Sequence, residues 1–544
     1  MGGEQTLTIN SNLPWRLKNN TPWIVISQPN GLSSGKVTFT VQRNRTRDER
    51  HATIIAYITD SSEATLNLTQ QRAESGEPII YHVKTDGNPD ASGETWEEAT
   101  TLDMAMENAG DGDVIRMAAG TYTPTALLTS GELEEEKTFE IHSNFTVEGG
   151  YPANATTGAV PDPLANPTVL SGNLGAGVSA YHVVTVTAGK STQNQAVLKN
   201  LTISDGITTK TVGSVRRLVG GALIDVGMGG GLVVGRSNLM VLNCIISGNE
   251  GCHSGGMHIY AGANVIMEDC LITSNRVINN GGGIWNSGGV LYMNRCNIVG
   301  NISGQQAGGL YSIDASGVPS INRIYNSTFS DNDNTQTNIN RSGGGAYIRE
   351  GSDAVFVNCT FTGNKAGYGG GIMGYGTAAY PSHTICISCT ITGNKANGTA
   401  GGGGVIVYNA NGAITLYNTI VSGNESISGS AEAGLGSGVD ASLLKVYTSI
   451  IGVQLFDNEG SGVGGWNFNA ATMLGSLGLY NGGTTRTFPL ITGANNPAIT
   501  QGMTVAELKQ QASALNPVVA DDIVSADQNG TARTGRSIGA STAQ

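Results

Sequence analysis

Seven copies of one seven-residue pattern run through the middle of the chain, and this repeat restricts the fold more than any other feature. Each copy carries an apolar residue at its fourth position and Asn at its seventh. The copies occupy residues 243–249, 269–275, 295–301, 326–332, 358–364, 388–394 and 418–424. Successive copies start 26, 26, 31, 32, 30 and 30 residues apart, so the chain repeats one structural unit instead of building a single globular core.

Glycine runs alternate with these copies, and each run leads into a short apolar strand. The runs are residues 255–256, 281–283, 308–309, 343–345, 369–371 and 401–404. A period of this length, with apolar residues at alternate positions, suits coils of three strands and three turns. We therefore predict an all-β chain in which residues 160–460 form a right-handed single-stranded parallel β-helix of about ten coils, preceded by an N-terminal Ig-like β-sandwich.

Three columns of apolar residues are predicted to line the inside of the coils, since neighbouring coils stack ~4.8 Å apart and place like residues on like. The columns are Met257, Ile284, Leu310, Ala346, Ile372 and Val405; Val241, Met267, Met293, Ile324, Phe356, Cys386 and Leu416; and Ile246, Ile272, Ile298, Phe329, Phe361, Ile391 and Val421.

Two polar columns receive structural interpretations. The seventh-position residues, Asn249 to Asn424, are predicted to form a ladder at a turn, because Asn tolerates left-handed backbone angles and its amide can bond the next coil. The Cys residues at the second position are interpreted as packing. Cys386 and Cys389 form one isolated C-x-x-C on a predicted strand, without the second pair that a zinc site needs.

The repeats resemble two groups of known proteins. Gly344-Gly345-Ala346-Tyr347 with Phe361-Thr362-Gly363-Asn364, and also Phe329-Ser330-Asp331-Asn332, resemble the repeats of chlamydial polymorphic outer-membrane proteins. More broadly, residues 195–455 resemble the pectate-lyase-like β-helix superfamily. That superfamily holds lyases, hydrolases, adhesins and inert shafts, so the resemblance implies the fold and leaves the activity open.

The first 75 residues lack the glycine runs and read as a small β-sandwich, with strands predicted at 6–9, 23–27, 36–42, 52–59 and 64–70. The segment resembles the BACON domain of surface glycan-handling proteins of Bacteroidetes. The matching residues are Trp15, Pro22-Trp23-Ile24, Gly31, Gly35, 37–41, Asn44, Glu49-Arg50 and 68–70. The resemblance implies either carbohydrate binding or a spacer role. Trp15 and Trp23 could stack on sugar, but such residues more often fill the sandwich core.

The segments that flank the repeats are predicted to close the coils. Residues 76–160 are interpreted as an N-terminal cap and first coils, with a helix over 95–108, and residues 461–544 as C-terminal coils and cap, with a helix over 506–514. Asp86-Gly87-Asn88-Pro89-Asp90 alternates oxygen ligands like a calcium loop but lacks its later Gly and Glu. We assign no metal or cofactor, with calcium as the alternative.

Charge and hydropathy restrict the partners. A net charge of −13 argues against nucleic acid as a partner, and no apolar run is long enough to span a membrane.

The start, Met1-Gly2-Gly3-Glu4, leads directly into strand-like sequence, so the chain is interpreted as trimmed of any signal. We expect an extracellular or cell-surface monomer, with a lipid anchor as one option in a full-length precursor, whose partner is a polysaccharide or host glycan.

Catalytic signatures are not readable in the repeats. Hydrolases resembling polygalacturonases need Asn-Thr-Asp, Asp-Asp and Gly-His-Gly segments on adjacent coils, whereas the one Asp-Asp is Asp521-Asp522 in the tail. Lyase chemistry needs a Lys or Arg base beside calcium-holding carboxylates. The charged coil residues are scattered: Asp205, Asp225, Glu268, Asp269, Asp314, Glu350, Arg276, Arg295, Arg341 and Arg349. We assign no catalytic residue, although a site assembled from several coils stays open.

One surface column suggests ligand binding. The residue after each inward Met257-to-Val405 position should face outward, which gives His258, Trp285, Tyr311 and Tyr347, then Met373 and Ile406. Rings ~4.8 Å apart could hold an extended glycan by stacking, with polar contacts from neighbours that include Tyr260 and Tyr368. The predicted ligand-binding residues are His258, Trp285, Tyr311, Tyr347, Arg349, Glu350 and Tyr375, unless a cap, a loop or the sandwich covers them.

Two functions follow from these patterns. The favoured one is a surface protein that binds glycans or acts as an adhesin without catalysis. The alternative is a polysaccharide lyase or glycoside hydrolase with its site in a groove on the β-helix.

Overall fold

A computed structural model of the chain describes residues 3–21, 23–41, 49–59, 62–70, 78–191, 193–208, 213, 215–334, 342–398, 401–427, 432–493, 495–515 and 519–542. Pro22, Asn44 and Arg341, which the sequence analysis singled out, lie outside the described residues.

Two antiparallel sheets form the N-terminal β-sandwich. One has the strand order Gly3–Ile9, Gly35–Val41, Ile24–Ile26, and the other has the order Asn30–Gly31, Trp15–Asn19, Arg50–Thr59, Ser62–Gln70. Their shared core contains Trp15, Leu17, Ile24, Val37, Phe39, Ala52 and Ile54. The sequence analysis predicts no strand over Trp15–Asn19, although buried Trp15 and Leu17 alternate there with exposed residues as in other strands.

Three long sheets form a parallel β-helix of about 12 turns. The first sheet contains Ile80–Val83, Val114–Ala118, Thr146–Tyr151, Ala196–Lys199, Asn238–Leu242, Asn264–Glu268, Val290–Asn294, Ser320–Tyr325, Ser352–Val357, Ser382–Ile387, Gly412–Tyr417 and Leu444–Tyr447. The second contains Gly120–Tyr122, Thr168–Ser171, Thr202–Ser204, Ile245–Ser247, Leu271–Thr273, Asn297–Val299, Thr328–Ser330, Thr360–Thr362, Thr390–Thr392, Ile420–Val421 and Ile450–Ile451, and it ends in the antiparallel strands Gln454–Phe456 and Gly462–Val463. The third contains Phe139–Ile141, Val184–Val186, Leu232–Val234, Met257–Ile259, Ile284–Ser287, Leu310–Ile313, Ala346–Arg349, Ile372–Tyr375, Val405–Val407 and Ala433–Leu435.

The predicted β-helix is confirmed, and its coils begin earlier than the repeat. Strands from Ile80 onward already pair in parallel, although residues 80–160 carry no copy of the seven-residue pattern. The three predicted inward columns all lie in one continuous core, where their members are fully or almost fully buried. Within it Phe329 stacks on Phe361 of the next coil with ring centroids 4.7 Å apart, as expected when like residues lie on like.

The seventh-position Asn residues form a hydrogen-bonded ladder. Each Nδ2 donates to Oδ1 of the Asn in the next coil, at 2.8–3.0 Å from Asn249 through Asn424. Asn424, the last, donates to Glu432 at 2.7 Å. The bonding is as predicted, but the left-handed backbone is one residue earlier, at Gly248, Ser274, Gly300, Asp331, Gly363, Gly393 and Gly423.

The glycine runs stack directly on one another beside the ladder. A methyl group at Gly309 would lie 2.3 Å from the carbonyl oxygen of Gly345 in the next coil. A methyl at Gly283 would lie 2.7 Å from the oxygen of Gly309 and 3.2 Å from Nδ2 of Asn301. Since no side chain fits between backbones this close, the runs recur once per coil.

The N-terminal end of the core is covered by helix Leu102–Asn108, which buries Leu102, Ala105 and Met106. The side chain of Thr101 caps it by accepting from the amide of Met104. The helix predicted over 95–108 is wrong in its first half, because residues before the cap bond to the first strand. The amide of Thr100, for example, donates to the oxygen of His82 at 3.0 Å.

The described residues of the C-terminal tail, 464–493, 495–515 and 519–542, lie along the side of the β-helix. Its short helices are Ala470–Met473, Pro497–Thr500, Val505–Ser513 and Asp521–Ser525, and the third agrees with the predicted helix to within one residue. Met503, Leu508 and Ala512 pack on Val355 and Ile387 of the first sheet. The tail therefore covers the outer faces of several coils, which goes beyond the end cap expected from sequence.

Arg533 fastens this tail to the coils. It is buried, and its guanidinium donates to Oδ1 of Asn358 at 3.0 Å, to the oxygen of Gly539 at 2.8 Å and to Oγ of Ser537 at 3.0 Å. Burial lowers the pKa of Arg533 to about 10.

The remaining elements are short. They are the hairpins Asn173–Gly175 with Val178–Ser179 and Arg216–Val219 with Ala222–Asp225; the strands Glu250–Gly251, Arg276–Val277, Ile302–Ser303, Lys365–Ala366, Lys395–Ala396 and Glu425–Ser426; and the 3-10 helices Glu134–Glu136 and Ala441–Leu443. Within the part of the chain that the structure describes, no helix has the length and apolar character needed to cross a bilayer.

Candidate functional site

The predicted aromatic column exists on the outer face of the third sheet. His258, Trp285, Tyr311 and Tyr347 are direct partners in successive strands, and Met373 and Ile406 continue the column. Their neighbours in sequence, such as Met257 and Ile284, point into the core. The alternation of the strands therefore places this column outside the coils, as the sequence predicts.

The same column is not an open surface, so the prediction that it forms an exposed stacking face is wrong. The exposed fractions of His258, Trp285, Tyr311 and Tyr347 are only 1%, 8%, 2% and 3%. Successive rings pack edge-on or tilted, with centroids 5.0 Å apart for Trp285 and Tyr311 and 5.7 Å for Tyr311 and Tyr347. Because the coil spacing brings each ring onto the next, the rings contact one another instead of presenting their faces to a ligand.

The solvent-accessible part of this cluster lies at its C-terminal end. We call it the tyrosine patch, and it consists of the half-buried residues Arg349, Glu350, Tyr368, Tyr375 and Tyr408. Tyr368 and Tyr375 lie 5.4 and 6.3 Å from Tyr408 between ring centroids. The structure thus brings predicted Arg349, Glu350 and Tyr375 together at the surface. Predicted Tyr311 and Tyr347 contact them, while predicted Trp285 and His258 lie farther along the column, toward its N-terminal end.

Tyr408 is the residue that the sequence analysis missed. It follows Ile406 by two positions, as Tyr375 follows Met373 and as Arg349 follows Tyr347. The strand pairing of Arg349 with Tyr375 continues to this position, where the amide of Tyr408 donates to the oxygen of Gly374 at 3.0 Å. Searching two residues after each member of the aromatic column would have identified Tyr408 from the sequence.

Arg349 organises the patch. Its Nη1 donates to the hydroxyl of Tyr311 at 3.2 Å and to Oε1 of Gln306 at 3.4 Å. The guanidinium carbon lies 5.4 Å from the centre of the Tyr375 ring, and Nε lies 3.3 Å from Oε2 of Glu350. Burial raises the pKa of Tyr311 and of Tyr347, so both phenols stay protonated. The patch therefore combines ring faces, phenol hydroxyls and one ion pair.

The coil carboxylates are used in separate structural contacts. Asp269 and Glu268 bind Arg295, with Asp269 accepting from its Nε at 2.8 Å. Asp225 accepts from Nε of Arg216 at 3.0 Å, and Asp205 accepts from Oγ of Ser171 at 2.6 Å. Among the described residues, no group of three or more His, Cys, Asp or Glu side chains is arranged to hold a metal ion.

Cys386 lies in strand Ser382–Ile387 and Cys389 in the turn after it, and both are buried free thiols.

The two tryptophans of the sandwich differ in their surroundings. Trp15 is buried and its Nε1 donates to the oxygen of Ser33 at 2.8 Å, so it fills the core. Trp23 is half-buried, packs against that core, and has the guanidinium carbon of Arg50 4.3 Å from its ring centre.

Comparison with known proteins matches one domain to a family model and aligns the chain with three solved structures. Residues 13–71 match the BACON family model, described as "Putative binding domain, N-terminal". No curated protein matches the chain.

Three solved structures align with parts of this chain. The crystal structure of pectate lyase Pel9A aligns with 14% identity and a TM-score of 0.46 over 78% of this chain and 92% of that one. A rhamnogalacturonan lyase aligns with 11% identity and a TM-score of 0.29 over 68% and 87%. A Bacteroides ovatus GH5 xyloglucanase in complex with a XXXG heptasaccharide aligns with 18% identity and a TM-score of 0.13 over 28% and 34%. Residues 13–71 are thus a BACON domain, whereas the parallel β-helix rests on the strand pairing described above and not on these neighbours.

Proposed function

We propose that this protein is an extracellular surface protein that binds a polysaccharide or host glycan, as a monomer and without catalysis, and that its β-helix ligand site is the tyrosine patch. The observation that carries the proposal is the cluster of three half-buried tyrosines, one of which, Tyr375, lies against Arg349 of the Arg349–Glu350 ion pair. Sugars bind proteins through ring faces that stack on their apolar surfaces and through polar groups that orient their hydroxyls. The patch offers both on neighbouring coils.

The N-terminal domain supports the same function. Its family is described as a binding domain, and Trp23 gives it a half-buried ring beside Arg50. Two binding elements on one chain would raise the avidity for a polymer, because the second contact is made at a high effective concentration.

Ring removal tests the tyrosine patch. Tyr375→Ala and Tyr408→Ala should each raise the dissociation constant measured by affinity electrophoresis through a glycan-containing gel by roughly 2- to 13-fold, since an aromatic contact contributes about 0.5–1.5 kcal/mol. A carbohydrate array would first select the glycan. Tyr292→Ala is the matched control, because Tyr292 is a half-buried tyrosine on the outer face of the first sheet.

Two outcomes count against the proposal. If no glycan on the array binds, or if both patch variants bind as tightly as the Tyr292→Ala control, the patch is not the site. If the intact chain releases unsaturated uronate products from acidic polysaccharides, measured by their absorbance, the protein is a lyase and the non-catalytic part of the proposal is wrong.

A further inference from the structure

A hairpin from the fourth coil folds over the outer face of the third sheet. Its strands are Arg216–Val219 and Ala222–Asp225. The inner side of the hairpin, at Val219, Ala222 and Ile224, packs on Val233 and Tyr260. The amide of Asp225 also donates to the hydroxyl of Tyr260 at 2.8 Å.

The residues that follow the hairpin continue this cover. The amide of Gly229 donates to the oxygen of His253 at 3.0 Å, and the amide of His253 donates to the oxygen of Gly227 at 3.2 Å. We call residues 216–229 the lid. The lid is held in place by these bonds, by the bond between Nδ1 of His182 and the oxygen of Gly229, and by the hydroxyl of Thr208, which donates to the oxygen of Val226. The apolar cluster around Ile224 and the ion pair of Arg217 with Glu136, in the 3-10 helix Glu134–Glu136, complete the contacts; the closest atoms of the ion pair are 2.6 Å apart.

Three histidines lie under or beside the lid. His258 is 1% exposed, its ring centre lies 4.2 Å from that of Tyr260, and neither of its ring nitrogens has a hydrogen-bond partner among the described residues. Buried His182 uses Nδ1 to bond the oxygen of Gly229 at 2.6 Å, and its Nε2 has no partner there. Half-buried His253 stacks near Trp285 with centroids 5.0 Å apart, and its Nδ1 likewise has no partner in the described structure.

The surroundings of these rings oppose protonation. Burial, then the neighbouring His253 and His182, lower the pKa of His258 to about 3. Burial lowers the pKa of His253 to about 4, against the attraction of Asp225. The other charged groups near the cluster, Arg216 and Arg217, are cations already paired with Asp225 and Glu136.

We propose that the lid, residues 216–229, opens in mildly acidic solution because the histidines beneath it take up protons that the closed state cannot accommodate. In the closed state a proton on His258 would be buried without an acceptor and beside two other imidazoles. Opening lets water solvate each imidazolium and uncovers Tyr260 and the His258 end of the aromatic column. The proposal is independent of what the tyrosine patch binds.

The direction and size of the response follow from linkage. A histidine whose pKa is lowered in the closed state stabilises that state above pH 6.5, and this stabilisation is lost as the pH falls toward its closed-state pKa. Taking 6.5 for the open state, lowering the pH from 7.5 to 5.0 should raise the opening equilibrium about 30-fold for each of His258 and His253, and several hundredfold together. Opening therefore begins well above the pKa values of the closed rings.

Native-state hydrogen exchange of the full chain tests this inference. After correction for the intrinsic exchange rate, peptides within 216–229 should lose several hundredfold protection between pH 7.5 and 5.0, whereas peptides within 290–299 of the core should not. Working at or above pH 5.0 keeps Glu136 ionised, since hydrogen bonds from Arg217 and backbone amides, acting against burial, lower the pKa of that carboxyl to about 2.

Substitutions distinguish lid opening caused by histidine protonation from a general destabilisation of the protein at low pH. His253→Gln should remove about a 30-fold share of the pH response, and His258→Phe a similar share while keeping an aromatic ring in an apolar site. His383→Gln is the control, because His383 lies on the first sheet, paired with Asp353 at 3.1 Å. Equal loss of protection in lid and core of the wild-type chain, or an unchanged response in both lid variants, would overturn the proposal.

Discussion

Removing one rung of the asparagine ladder should destabilise the β-helix far more than an ordinary Asn→Ala change. Asn301 is fully buried in the middle of the ladder. Its Nδ2 donates to Oδ1 of Asn332 and to the oxygen of Ile272, both at 3.0 Å. Its Oδ1 accepts from Nδ2 of Asn275 at 3.0 Å and from the amide of Asn275 at 3.1 Å. Asn301→Ala removes all four hydrogen bonds at once.

The expected cost follows from those four bonds. A net hydrogen bond contributes about 1 kcal/mol, and a buried group left without a partner costs about 1–3 kcal/mol. In the variant, Nδ2 of Asn275 still donates to the oxygen of Ile246, and Oδ1 of Asn332 still accepts from the backbone amide of residue 301. Some of the former partners of Asn301 therefore retain a hydrogen bond. One water could also enter the space of the lost amide. We therefore expect Asn301→Ala to lower the free energy of unfolding by about 3–5 kcal/mol.

An isosteric variant sharpens this prediction. Asn301→Asp keeps the shape but points a second oxygen at the oxygens of Ile272 and Asn332, which are both acceptors. Near neutral pH it should destabilise at least as much as Asn301→Ala. The loss should shrink as the pH falls, because a buried carboxyl has a raised pKa and its protonated form can donate one of the two lost bonds.

Urea unfolding followed by far-UV circular dichroism measures the free energy, and hydrogen exchange of residues 290–303 reports local opening in case the stacked coils do not unfold in one step. Asn154→Ala is the matched control, since Asn154 is exposed in a loop, and it should change stability by less than about 0.5 kcal/mol. The reasoning is refuted if Asn301→Ala costs no more than this control.

Two further substitutions test the packing of the coils and of the tail. Gly309→Ala should cost about 1–3 kcal/mol in urea unfolding, because its methyl group would lie 2.3 Å from the oxygen of Gly345. Gly464→Ala, where a methyl meets nothing within 4 Å, is its control, and equal effects would contradict the close-stacking argument. Arg533→Gln should release the tail to limited chymotrypsin digestion while the coils resist, since Asn358 and Gly539 lose their shared donor. Digestion no faster than in an Arg16→Gln variant would show that Arg533 does not hold the tail.

The sequence by itself determined the parts of this protein that repeat. A column such as Ile246, Ile272 and Ile298 is buried because successive coils are in register, and the seven-residue pattern already shows that register. The ladder and the stacked glycines follow from the same period. In each case the contacting residues occupy the same position of neighbouring repeats, so the spacing along the chain predicts the contact in space.

The tertiary structure alone decided which outward surfaces remain open. The alternation of a strand predicts that Trp285 and Tyr311 face out of the coils, but it cannot show that adjacent rings and Arg349 cover them. Nor does it place the hairpin Arg216–Val219 and Ala222–Asp225 over Tyr260, or Arg533 on Asn358. These contacts join segments that belong to no repeat and lie far apart in sequence or in different coils. Their positions depend on packing between specific side chains, which no period in the sequence encodes.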